Sequence, residues 1–587
     1  MKDFLKMTFA SIIGMMIAGF VLLIIGISVI GGMVATTEVA TVVKENSVFV
    51  LDLKGSVVER YEDNPFEQLL GEEITTRGLE DILTSIEKAK NDPKIKGMLI
   101  NAEAFACSTA SLQDIRTAIA DFKESGKFVV AYSGAYTQGA YYVSTVADKV
   151  FLNPSGSISW HGLSAQTMFL KDLLAKVGVK MQIYRVGTYK SAVEPFIATE
   201  MSPANREQTL AFTQSIWNEI VSEVSESRNI SVEKLNEMAD KCMDFLPAEA
   251  YVENGLADQL MYKDEVLSYL KKLTNISEKS TLNTLTLDDM KNLAVPSTAK
   301  SRDVIAVYYA FGEIDNAADP YNEGIVSEKV TKHLRDLRND DNVKAVVLRV
   351  NSPGGSAYGS EQIWREVTLL KEKKPVVVSM GDYAASGGYY ISCAADWIVA
   401  QPTTLTGSIG IFGMIPDASE LITKKLGVKI DGVKTNKLAD MGDMSRPFNA
   451  EEGALIQGMV NSGYELFTKR CAEGRNMPID SLKMIAEGRV WSGEMAKELK
   501  LVDELGNLEC AIKKASELCG IRDYKVASYP KKVDFITSLI SNAKPERYIS
   551  SKLEDSFGEF YNGFMMIKNL DKADRIQARM PFDVSIN

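Results

Sequence analysis

Histidine is nearly missing from this chain: its 587 residues contain two, His161 and His333. A serine hydroxyl needs a base to become a nucleophile, and the usual base is histidine, so this scarcity argues against a histidine-based triad. His333 falls in a predicted helix, Val330 to Arg338, among charged residues where a solvated side chain is expected, and His161 follows the turn Gly156-Ser157-Ile158-Ser159. Cysteine is sparse as well. Cys107, Cys242, Cys393, Cys471, Cys510 and Cys519 form no C-x-x-C pair and no metal-ligand spacing, so neither a metal nor another cofactor is expected. Buried free thiols are the expected state, with a Cys510 to Cys519 bridge left open for an oxidising compartment. Positive charge is in deficit: the net charge of −12 opposes binding to nucleic acid or to an anionic membrane surface. Seventeen prolines leave little room for disorder, and 45% apolar with 25% charged residues describe an ordinary globular body.

The first 40 residues depart from that average. No charge occurs from Met7 to Thr37, a run long enough at about 1.5 Å per residue to cross an apolar layer of about 30 Å. A cleavable signal has an apolar core of only about 7 to 15 residues, so an uncleaved, single-pass anchor is expected over residues 1–40. Lys2, Lys6 and the terminal amine favour a cytoplasmic N-terminus, although Asp3 dilutes the count, and the globular body then lies outside the cytoplasm.

The remainder is a tandem duplication. Phe128 to Pro154 and Val376 to Pro402 align without a gap, identical at nine of 27 positions and sharing a Gly-x-Tyr-Tyr-x-Ser core. Gly178-Val179-Lys180 pairs with Gly427-Val428-Lys429, and Gly255 to Asp258 with Lys500 to Asp503. Each copy, about 250 residues, is long enough to bury its own core. The expected organisation is a first copy over 41–300, a second over 301–545 and a C-terminal extension over 546–587; Ser277 to Arg302 has the polar composition of a surface linker.

In the second copy, Val304 to Tyr309 and Ala345 to Val350 are apolar, β-branched runs, and Ser352-Pro353-Gly354-Gly355 is predicted as a strand-to-helix turn. Ile363, Val367 and Leu370 recur at helical spacing, and Pro375 opens the strand Val376 to Ser379 that leads to a turn at Ser386. Strand, turn and helix in repetition imply an α/β domain with mostly parallel strands, in which active sites lie where strands end and helices begin.

Both glycine-rich turns fall at such places, and the two copies differ there. Ser386 stands in Ala384-Ala385-Ser386-Gly387-Gly388, whereas its counterpart is Gln138. Without histidine, the known substitute base is a lysine whose amine is desolvated and free of carboxylate partners. Aligning Val177 to Lys190 with Leu426 to Ala439 sets Lys190 against Ala439, while Lys180 has a twin in Lys429 and so reads as structural. The first copy thus holds a lysine without a serine and the second a serine without a lysine, so a dyad forms only across the copies. Gly354-Gly355 faces Ala104-Phe105 in the same comparison, and amides of Gly354 or Gly355 with that of Gly387 are candidates to stabilise an oxyanion.

Four motifs resemble the signal peptide peptidases of the long bacterial type, the protease IV family, within the ClpP/crotonase fold superfamily. They are Tyr184 to Phe196 (YRVGTYKSAVEPF), Asn351 to Gly355 (NSPGG), Ala385 to Tyr390 (ASGGYY) and Thr406 to Gly410 (TGSIG). The resemblance, spanning nearly the whole chain, implies two tandem ClpP/crotonase-like domains behind a transmembrane helix, in a protease of the bacterial inner membrane with its body in the periplasm. It implies a Ser/Lys endopeptidase that degrades cleaved signal peptides, with Ser386 as nucleophile, Lys190 as general base and Ser408 orienting the lysine, assembled as a homotetramer. From the residues alone, a turn-capping hydroxyl is an equal role for Ser408. Two other functions remain open at this level: a crotonase-like acyl-CoA enzyme, which shares the fold and the glycine oxyanion hole, and a membrane-tethered scaffold with degenerate sites.

Overall fold

A computed structural model describes residues 6–8, 13–21, 41–61, 76–293, 300–316, 324–532 and 576–580. Most of the predicted anchor, the segment with Phe560, Tyr561, Phe564 and Met565, and the last seven residues lie outside them. Among the described residues no helix is long and apolar enough to cross a membrane.

The first half supplies strands β1 (Ser47–Val58), β2 (Thr76–Gly78), β3 (Ile95–Ala106), β4 (Phe128–Tyr136), β5 (Lys149–Ile158), β6 (Lys180–Arg185), β7 (Gln259–Leu260) and β8 (Thr284–Leu285). All but β6 form one parallel sheet in the order β2-β1-β3-β4-β5-β7, with β8 against β1. The second half supplies β9 (Val304–Phe311), β10 (Ile314–Asp315), β11 (Ile325–Val326), β12 (Val343–Ser352), β13 (Gly354–Ser356), β14 (Val376–Ala385), β15 (Trp397–Ala400), β16 (Leu405–Gly407), β17 (Phe412–Asp417), β18 (Val490–Ser492), β19 (Glu504–Leu505), β20 (Lys525–Tyr529) and β21 (Ile576–Arg579). Its main sheet runs β18-β16-β14-β12-β9-β20, with β15 joining β14 to β19. β12 and β14 are buried on both faces, as parallel strands between helical layers must be, which explains their near-continuous Val, Leu and Ala content.

A third sheet, β11-β10-β13-β21-β17-β6, decides where the site lies. In it β6 leaves its own half and pairs antiparallel with β17, Arg185 opposite Phe412 and Lys180 opposite Asp417. The halves also meet in a buried polar cluster: Arg349 of β12 bonds Glu59 at 2.7 Å and Asp114 at 2.8 Å from the first half. Asp382 accepts from the Ser111 amide at 2.9 Å and from Asn351 at 3.0 Å.

Several expectations are corrected. Ser352 to Gly355 is not a simple turn, because Gly354–Ser356 forms β13, its glycines allowing the Ile314 and Ala578 backbones to close in on either side. The polar stretch after Ser277 is more than a linker: β8 extends the first sheet, the helix Leu287–Lys291 follows, and Leu285, Leu287 and Met290 are buried. The segment 426–439, aligned with the lysine segment, forms no strand and is almost wholly exposed, whereas β6 is held by β17. His333 is half-buried rather than solvated, its Nδ1 lying 3.0 Å from the Tyr308 hydroxyl, and burial lowers its pKa. All six cysteines are free, but of them only Cys393 and Cys471 are fully buried.

Candidate active site

Ser386 directly follows β14 and immediately precedes the helix Gly387–Ser392, with φ 54° and ψ −111°, a strained conformation for a residue with a side chain. Its amide donates to Gly407 O at 2.8 Å and its carbonyl accepts from Tyr390 N at 2.8 Å, so β16 on one side and the helix on the other hold the turn. Such a strand-to-helix turn places the hydroxyl at the C-terminal end of the sheet, where it is buried.

Lys190 arrives from the other half. Five residues after β6 ends, its loop is pinned where Tyr189 N donates to Glu487 O at 3.0 Å. Gln208, on the helix Pro203–Arg228, donates to Ser191 Oγ at 2.9 Å and accepts from Val490 N at 3.1 Å, tying the loop to β18. The Lys190 Nζ lies 2.8 Å from Ser386 Oγ, 3.0 Å from Ser408 O and 3.1 Å from Ser408 Oγ. Lys190, Ser386 and Ser408 are all fully buried. Burial drives the Lys190 pKa well below the ordinary lysine range, since an ammonium ion there loses its hydration. The nearby carboxylate of Glu194 is engaged elsewhere, accepting from Asn205 Nδ2 at 3.0 Å and Ser202 N at 3.2 Å. Ser408 donates to Gly488 O at 3.2 Å, which leaves its oxygen lone pairs for the lysine.

Two of the three candidate oxyanion glycines are adjacent. A Cβ on Gly354, whose φ is +103°, would stand 2.7 Å from the Gly387 amide nitrogen and 2.1 Å from Ala578 O, so only glycine fits there. Gly387 opens its helix, where amide groups lack intrahelical partners. Gly355 faces another way, its Cβ position 2.1 Å from Ile314 O in β10.

Sequence reasoning missed Gly488. With φ +80°, it lies so close to the lysine that a Cβ would be 2.6 Å from Lys190 Cβ. The duplication carried no signal for it, because the residue matters only through a partner nearly 300 positions away in the chain.

The equivalent place in the first half is filled. Gln138 donates to Gly162 O at 3.0 Å and accepts from His161 N and Gly162 N, both at 3.1 Å. Trp160, at the same offset from Gln138 as Ser408 from Ser386, is completely buried. His161 is exposed beside Asp244 at 3.0 Å, and the adjoining cavity of about 830 Å³ is lined by Gln138, His161, Asp382, Tyr383 and Leu405 among others. Among the described residues no cluster of His, Cys, Asp and Glu is arranged to hold a metal.

Two α/β halves with one intact serine turn agree with comparison to known proteins, which makes the chain a serine protease. The chain belongs to peptidase family S49, whose model matches residues 121–277 and 368–522. It is similar to Protease 4 of Haemophilus influenzae, 36% identical over 90% of this chain and 88% of the relative. Protease 4 of Salmonella typhi is 37% identical over 82% of this chain and 79% of its own length. The chloroplastic serine protease SPPA of Arabidopsis thaliana is 32% identical over 82% of this chain and 70% of its own. A solved Listeria monocytogenes ClpP1 variant overlaps 36% of this chain and 95% of its own at 16% identity, with a TM-score of 0.25.

Proposed function

We propose that this serine protease is a membrane-anchored endopeptidase that uses a Ser386/Lys190 dyad to cleave the apolar peptides left by signal-sequence removal. The observation that carries the reading is the 2.8 Å approach of Lys190 Nζ to Ser386 Oγ in a buried site where, among the described residues, no carboxylate bonds the amine. A neutral amine there donates its two N–H groups to Ser408 O and Oγ, and its lone pair faces the Ser386 hydroxyl.

Ser386 Oγ attacks the scissile carbonyl carbon while its proton passes to Lys190 Nζ. The amide of Gly387, with that of Gly354 turned from its 3.2 Å bond to Ser352 Oγ, receives the oxyanion, and Gly355 lets β10 close in beside them. Collapse expels the amine, which takes the proton back from Lys190. Water then repeats the sequence on the acyl-enzyme, with Lys190 again as base. Ser408 orients the amine throughout, which a base without a planar ring requires.

The apolar, charge-free run Met7 to Thr37 supports an inner-membrane anchor with a periplasmic body, and tandem ClpP/crotonase-like copies over 41–300 and 301–545 support a homotetrameric shell. A scaffold with degenerate sites fits the first half, where Gln138 and Trp160 fill the corresponding places, and not the second. An acyl-CoA enzyme has no use for a buried lysine beside the serine.

Ser386→Ala and Lys190→Ala are each expected to abolish cleavage of an apolar fluorogenic peptide with the fold retained by circular dichroism, because the two groups act as one unit. Gln138→Ala stays within a few-fold of the parent. Robust peptidase activity in either folded dyad variant refutes the assignment.

A further inference from the structure

The duplication leaves one strand edge covered in the second half and bare in the first. Gly355 and Phe105 occupy corresponding places, and each is paired on one side in the same manner, Gly355 with Ile314 of β10 and Phe105 with Gly55 of β1. On its other side Gly355 is opposite Ala578 of β21. Phe105 has no such neighbour: β3 and β4 pair only as far as Asn101 and Tyr132, and among the described residues no strand covers that edge of β3 beyond this point. The space beside it is the cavity of about 830 Å³, which Phe105, Ala106 and Cys107 line. A bare edge with room next to it is a template for one further strand, and strand addition is a common mode of peptide recognition.

The lining selects the chemistry of the occupant. Leu112, Ile216 and Ile220 are apolar and buried. The polar groups near them are already engaged, Gln138 with Gly162 and His161, and Asp382 with Ser111 and Asn351. A cavity of this size and character suits an uncharged, apolar ligand. Gln138 in the place of the serine offers no nucleophile, so a peptide bound here stays whole. The cavity also adjoins the serine-bearing half. Tyr383 of β14 and Leu405 of β16, partners in register, both line it, and Tyr383 precedes Ser386 by three residues, about 10 Å at about 3.3 Å per residue. An extended peptide of sixteen residues, about 50 Å long, spans both places with chain to spare.

We propose that the first half has kept peptide binding while losing cleavage: an extended apolar segment of the substrate adds as a strand to the Phe105–Ala106 edge and places a side chain among Leu112, Ile216 and Ile220, while another segment of the same molecule lies at Ser386. The proposal rests on the peptidase reading and deepens it, because a second foothold favours apolar peptides long enough to span both halves over short ones.

The test uses the full chain carrying Ser386→Ala, a sixteen-residue apolar peptide labelled with fluorescein, and the same peptide with a benzophenone side chain near one end or the other. Irradiation is expected to attach the probe to residues 105–112 or 216–220 from one end and close to residue 386 from the other, as located by mass spectrometry of digests. Ala106→Trp, at an exposed position on the cavity wall, should fill the space and weaken binding at least tenfold by anisotropy. Leu163→Asp should weaken it several-fold by placing a charge against the apolar segment. With Ser386 intact, the sixteen-residue peptide should show kcat/KM at least tenfold above a six-residue peptide with the same scissile bond, the gain lying in KM, and Ala106→Trp should erase that gain. Crosslinks confined to the second half, or binding within twofold of the parent in both variants with the melting temperature preserved, overturn the proposal. So does a cavity covered by a second copy of the chain, seen as crosslinking that appears only when the assembly is diluted apart. First-half crosslinks with no hydrolysis by the intact chain support the cavity while removing the dyad mechanism, whereas hydrolysis without first-half crosslinks removes the cavity alone.

Discussion

Gly488→Ala separates a lysine that is positioned from one that is merely nearby. The added methyl would stand 2.6 Å from Lys190 Cβ, 2.7 Å from its Cα and 2.8 Å from its amide nitrogen. Carbon atoms rest at about 3.5 to 4.0 Å, so something must yield by about 1 Å. The lysine has little room to retreat, because it is completely buried in a close-packed interior. A shift of about 1 Å takes the 2.8 Å contact between Nζ and Ser386 Oγ beyond hydrogen-bond range. Misplacement on that scale costs about 100-fold in rate. The φ of +80° adds strain of about 1 to 3 kcal/mol for a residue with a side chain, so stability falls too. The assay is kcat/KM on an apolar fluorogenic peptide beside a urea unfolding curve. Gly134→Ala serves as control, since a Cβ there meets nothing within 4 Å. A Gly488→Ala protein that is folded and within threefold of the parent kcat/KM refutes the positioning argument, and one that loses stability but keeps its rate shows that Gly488 serves only the fold.

Activity should rise with pH through a single ionisation lying well below the ordinary lysine range, because burial disfavours the Lys190 ammonium and only the neutral amine takes a proton; Lys190→Arg should be inactive at every pH, and a midpoint unmoved by substitution at Lys190 assigns the proton to another group. The same depression links to stability: between the folded pKa and about 10.4 the unfolded chain holds a proton that the folded chain does not, so this residue makes stability rise with pH in that window. Lys190→Met should remove that slope from urea midpoints measured across the alkaline range, and an unaltered slope refutes the linkage. Arg349→Leu should cost about 3 to 5 kcal/mol, because Glu59 and Asp114 remain buried beside Asp382 without their cation; a loss below about 1 kcal/mol by urea unfolding shows that the cluster relaxes or takes up protons instead.

Much of the candidate site was legible because duplication supplies an internal control. A motif that must be kept for folding appears twice, as Tyr141-Tyr142 and Tyr389-Tyr390 do, and one used for chemistry is free to decay in either copy. Comparing Gln138 with Ser386 and Lys190 with Ala439 therefore isolated residues that folding does not demand. The strands β9, β12 and β14 were readable from apolar runs, because burial on both faces of a parallel sheet leaves no polar position to break them.

Other features depend on partners far away in the chain. Sequence alone fixed the duplication, the candidate serine and lysine, and the expectation that neither copy suffices by itself. Tertiary structure decided that β6 crosses to β17, that Gly488 floors the lysine, that Gly354 rather than Gly355 adjoins Gly387, and that β21 lies between β13 and β17. Periodicity records which face of an element is buried but not which distant backbone covers it, and a lysine loses its charge only where the whole surrounding fold excludes water.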